Sequence, residues 1–120
     1  MPGFDLKASA RLRRLWAEAH QRRLRLRVER FNNMENLAVW QRQVEQVKAE
    51  GRPVPEGLVA WITWARARLD ELGEELPAAD EALRVASAAL RAADAALDEQ
   101  LRALDETPAA TRSAEPKEPG

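Results

Sequence analysis

The chain has 120 residues, no cysteine, a single histidine and a formal net charge of −1. Disulfide staples and thiolate metal sites are therefore excluded, and the carboxylates show no calcium-loop spacing around a central glycine. The small net charge hides a polarity, because residues 1–50 hold eleven Lys or Arg against six Asp or Glu while residues 51–106 hold six against twelve.

From Asp5 to Glu50 there is neither proline nor glycine, and most residues are good helix formers. This predicts one helix over about 5–50, with Asp5 or Ser9 as its N-cap. Leu37, Trp40, Val44 and Val47 recur at spacings of three and four, as do Leu12, Leu15, Trp16 and Ala19. Between them, "RRLRLRVERF" alternates Leu24, Leu26 and Val28 with arginines, as an amphipathic strand would. An isolated strand has no partner, however, and Leu24, Val28 and Phe31 share a helical face that leaves Leu26 on the wrong side. Helix is the expectation there.

"GRPVPEG", residues 51–57, packs two glycines and two prolines into one short segment and predicts a turn. A short loop between helices makes them antiparallel neighbours. After it, Ile62, Leu69, Leu76, Leu83, Leu90, Leu97 and Leu104 repeat every seven residues. The companion position reads Ala65, Leu72, Ala79, Ala86, Ala93 and Gln100. That is a coiled-coil-like seam, with alanines that let two backbones approach closely.

Gly73 and Pro77 interrupt the second arm. A proline inside a helix removes one donor and crowds the carbonyl four residues back, so the arm is expected to be kinked or broken there, as helices over about 57–75 and 77–106. A reversal at that point gives the alternative, a three-helix bundle. The heptad phase crosses Pro77 without a shift and favours the all-α antiparallel hairpin, residues 1–106. The remaining stretch, 107–120, is rich in proline and small polar residues and is expected to be a disordered tail.

Folding about Val54 sets residue i opposite roughly residue 108 − i. Arg11, Arg13 and Arg14 then lie near Asp94, Asp98 and Glu99, and Arg22, Arg23, Arg25, Arg27 and Arg30 near Asp80 and Glu81. The same register crowds Glu29 and Glu35 against Glu74 and Glu75, and carries Trp40 to Arg68. It also puts Trp61 and Trp64 against Val47 and Val44, as anchors of the hairpin.

No nucleophile–base arrangement, glycine-rich phosphate loop or His-containing metal spacing is present, so no catalytic residue, cofactor or metal is expected. His20 lies among charges and reads as a surface residue. No apolar run reaches the length of a membrane span, and no secretory signal is evident, which makes a cytoplasmic protein the expectation.

Residues 37–72, above all "WITWARARLDEL", resemble the C-terminal helical region of a group of uncharacterised bacterial proteins with a W-x-x-W-A-x-x-x-A-D-x-L-D-P pattern. Trp61, Trp64, Ala65, Asp70 and Leu72 match it. Leu69 replaces the alanine, and Gly73 and Glu74 replace the final Asp-Pro. In that group a region resembling a helix-turn-helix precedes the helices, which this chain lacks, and the resemblance implies no activity. Small secreted WXG-type hairpins are set aside, because the turn has no Trp-x-Gly.

These readings converge on a non-enzymatic helical interaction or oligomerisation module, with Leu76, Leu83, Leu90, Leu97 and Leu104 as the self-association seam and a second copy or a helical protein as partner. The alternative is a nucleic-acid-binding accessory protein that uses Arg22, Arg23, Arg25, Arg27 and Arg30 on the first helix.

Overall fold

A computed structural model describes residues 5–114, with side chains described from 5 to 106. Two helices, α1 (Leu6–Ala49) and α2 (Glu56–Ala114), pack against each other as an antiparallel hairpin.

Local chemistry sets the helix ends. Asp5 is the N-cap: its Oδ1 accepts the Lys7 N–H at 2.9 Å and the Ala8 N–H at 3.4 Å, satisfying donors that have no partner within the helix. At the other end Gly51 adopts φ +72°, a conformation that costs other L-residues about 1–2 kcal/mol. This lets the Gly51 N–H reach the Lys48 carbonyl and the Arg52 N–H reach the Val47 carbonyl, closing a Schellman motif before Pro53. The first α2 bond runs from the Val59 N–H to the Pro55 carbonyl, so the join occupies only residues 50–55.

The expected break in the second arm is not found. Helix α2 runs unbroken through Gly73 and Pro77, which rules out the three-helix bundle. Packing explains why: Leu72 and Ala79, on either side of the proline, are 0% and 1% exposed and lock both flanks to the same partner helix. A helix interior tolerates the lost donor when tertiary contacts hold its two halves in phase. The end of this arm also differs from the expectation, because α2 continues from Glu106 to Ala114 through Pro108, where a tail was expected; residues 115–120 lie outside the described residues.

Contacts divide the hairpin into two compact units. One comprises residues 18–83; the other comprises the described residues up to Ala17 together with those from Arg84. In the first, α2 turns Leu58, Ile62, Ala65, Leu69, Leu72, Leu76 and Ala79 inward at alternating spacings of four and three. This is the anticipated heptad seam, and its phase crosses Pro77 unchanged. Its alanines, Ala65 at 0% and Ala79 at 1%, bury as completely as Leu72. A methyl at these positions leaves room for the opposite backbone, while fully burying a leucine such as Leu72 contributes about 1.5–3 kcal/mol. In the second unit, Ala86, Leu90, Ala93, Leu97 and Gln100 continue the half-buried pattern, and the Trp16 indole N–H donates to Ser87 Oγ at 3.1 Å.

In the middle of α1 the expected inner face is inverted, whereas Leu12, Trp16, Ala19, Leu37, Trp40, Val44 and Val47 are half-buried as expected and Leu15 is 49% exposed. Leu26, read from the sequence as misplaced, is 8% exposed and packs in the core with Leu72 and Ala79. Leu24, Val28 and Phe31 point outward, at 54%, 50% and 63% exposure. The inner positions follow a strict seven-residue repeat through Ala19, Leu26, Asn33, Trp40 and Val47, the period of a supercoiled seam and not of a straight helix. Arg23 and Asn33 occupy inner positions and disguise the stripe.

Two further expectations are corrected. Trp61 and Trp64 are each 57% exposed, so the small inward residues around Ala65 anchor this end and the two indoles flank it. Trp40 meets Trp61, with ring centroids 5.6 Å apart at 39°, two helical turns short of Arg68. The register is thus displaced from the 108 − i rule, and the feared crowding of Glu29 by Glu75 is relieved by Arg68, which bonds to both.

Candidate interaction surface

The leucines expected to form a self-association seam fall in different settings. Leu76 and Leu83, in the 18–83 unit, are half-buried, with Leu76 against the core of Leu26, Leu72 and Ala79. Leu90 and Leu97, in the other unit, are also half-buried, whereas Leu104 is 47% exposed beside an equally open Leu101.

The arginines divide as well. Arg23 binds Asp80 across the hairpin, and Arg13 approaches Asp94 at 3.9 Å, both as the charge pattern anticipates. Arg22, Arg25, Arg27 and Arg30 are exposed, and none has a carboxylate partner among the described residues. His20 is exposed.

The strongest electrostatic feature lies within the 18–83 unit, at Arg68. Its guanidinium donates to Glu29 Oε1 at 2.8 Å, to Glu71 at 2.8 Å and to Glu75 at 3.3 Å, joining three carboxylates from two helices. The hydrogen bonds from Arg68 hold the Glu29 carboxyl below its ordinary pKa, and those same bonds, led by Glu29, push the Arg68 guanidinium up. Arg68 is fixed as a structural clasp for direction and register.

Two grooves flank the seam of this unit. One, about 420 Å³ and mostly apolar, lies between Leu24 and Val28 of α1 and Trp64 of α2, with Asn33 along its wall. The other, about 670 Å³, is bordered by Arg27, Arg30, Phe31 and Met34 on α1 and by Gly73 and Pro77 on α2. Met34 is 49% exposed, and the space where a Cβ would stand on Gly73 has no atom within 4 Å. Gly73 and Pro77 therefore shape a notch instead of ending a helix. Sequence reading missed this surface because it placed Leu24, Val28 and Phe31 inside; tracing the seven-residue repeat back from Val47 and Trp40 to Leu26 would have found it.

Among the described residues no group of three or more His, Cys, Asp or Glu side chains could hold a metal ion, and no helix is long and apolar enough to cross a membrane. Comparison with protein-family models, with curated proteins and with solved structures finds no match. The fold class is an all-α helical hairpin.

Proposed function

We propose that the protein is a non-enzymatic, cytoplasmic helical module that acts by protein–protein association, first of all with itself. The observation that carries this reading is the outward stripe of Leu24, Val28 and Phe31, half or more of whose surface in each case faces solvent on the back of a helix whose inner face is already occupied. Contiguous apolar surface on a soluble fold marks a place where another surface docks. A second feature supports association over chemistry: the charged cluster around Arg68 is closed on itself and leaves no reactive group poised over a cavity.

Light scattering and sedimentation over a concentration series test the proposal. A mass above one chain at micromolar concentration is expected, with a shift toward monomer when Leu24, Val28 and Phe31 are changed together to serine. A wild-type mass of one chain throughout refutes it.

The second reading, nucleic-acid binding, draws on the four exposed arginines without carboxylate partners. It requires retention of DNA or RNA at low salt that disappears when Arg22, Arg25, Arg27 and Arg30 become glutamine. Against it, the arginines are distributed around α1 and no aromatic platform interleaves with them.

A further inference from the structure

The groove at Gly73 and Pro77 combines features that specify an occupant. Phe31, Met34, Leu76 and Pro77 give it an apolar part beside the charged Arg23, Arg27, Arg30 and Asp80. Arg27 and Arg30 stand on its rim without a carboxylate partner among the described residues, while the third arginine, Arg23, is engaged by Asp80. The bare Cα of Gly73 lets another backbone come close. An acidic amphipathic helix has the chemistry to fill this groove: apolar side chains for the apolar part and carboxylates for the rim.

The chain itself carries such a helix. In the last turns of α2 whose side chains are described, Leu101 and Leu104 are 51% and 47% exposed and share a face that begins at the half-buried Leu97, at i, i+4 and i+7. Asp98 and Asp105, one heptad apart, border that face, and Glu99 and Glu106 add charge behind it. Arg102, the basic residue of this stretch, is paired with Glu99 at 3.3 Å. A symmetric contact between the outer faces of two α1 helices is less favourable, because it sets Arg25 and Arg27 against the same arginines of the other copy.

We propose that the Gly73–Pro77 groove of one copy receives the acidic 97–106 segment of α2 from a second copy. The proposal rests on the self-association reading and gives it a direction: each copy offers a groove and a segment, so the contact is head-to-tail and assembly grows with concentration.

Two charge-reversed full-length variants test it, each checked by circular dichroism for retained helix. The groove variant carries Arg27→Glu and Arg30→Glu; the segment variant carries Asp98→Arg and Asp105→Arg. Each alone is expected to associate at least about tenfold more weakly than wild type, since like charges across a contact repel strongly. Mixed in equal amounts, the two should assemble again, because the intact segment of one meets the intact groove of the other and the reversed groove and reversed segment are once more opposite in charge. If both variants assemble as wild type does, the groove is not the contact although self-association stands. If only the groove variant is impaired, the occupant is not this segment and the proposal fails. A wild-type protein that stays monomeric overturns both the proposal and the reading beneath it.

Discussion

Asn33 offers the most direct test of the seam. It is 5% exposed at an inner position between Leu26 and Trp40, and its Nδ2 has no hydrogen-bond partner. An unpaired buried donor costs about 1–3 kcal/mol. In Asn33→Leu, burial of the new side chain contributes about 1.5–3 kcal/mol while its extra volume costs about 1–3 kcal/mol, two effects that nearly cancel. What remains is relief of the stranded amide, so the variant should be about 1–3 kcal/mol more stable than wild type. For a unit of this size the thermal midpoint rises by about 4–8 °C per kcal/mol. The assay is urea and thermal unfolding at one fixed protein concentration, because association itself contributes to apparent stability. The urea slope should stay unchanged, as expected when only stability alters. Asn33→Ala, which removes the amide and leaves a void, should fall below Asn33→Leu. A leucine variant no more stable than wild type refutes the assignment of Asn33 to the seam.

Three further outcomes follow from the same geometry. Leu26→Ala should lose about 2–3 kcal/mol by chemical denaturation, and Leu24→Ala should stay within about 0.5 kcal/mol; the reverse order would restore the inner face first read from the sequence. Gly73→Ala should gain about 0.5–1 kcal/mol, since the site is helical and open, whereas Gly51→Ala should lose about 1–2 kcal/mol at its positive φ; equal effects at the two sites would contradict this. Arg68→Leu should lower the unfolding midpoint at neutral pH. Because Glu29 is held below its ordinary pKa in the folded state, its contribution is present above the unfolded carboxylate pKa and is lost as pH falls through the folded value. The gap between wild type and variant should therefore narrow below about pH 4, and a gap that is constant with pH excludes the clasp.

The hairpin was legible because three signals agreed: a long stretch without breakers, a dense turn, and a repeat of seven that ignored Pro77. Residues on α2 were assigned correctly where leucine and alanine monopolise the inner positions. In the middle of α1 the same logic fails, since Arg23 and Asn33 sit inside while Leu24, Val28 and Phe31 sit outside, and hydrophobicity followed over one short stretch selects the wrong side. Only the phase inherited from Trp40 and Val47 separates the two. The tryptophans mislead for a related reason: size does not mark burial, since Trp40 takes an inner position while Trp61 and Trp64 stay exposed beside the small Ala65. The groove is legible only in part, because in the sequence Gly73 and Pro77 read as punctuation and not as a notch in a continuous wall.

The uninterrupted phase through Pro77 sets a rule for how such a chain can change its length. Removing seven residues from each arm at facing levels preserves every inward side chain and shortens the pair like links taken from a zip. Deleting a single residue rotates everything beyond it by about 100° and turns the buried row out to water. Viable variation in arm length is thereby quantised, with whole heptads lost or gained together on both sides.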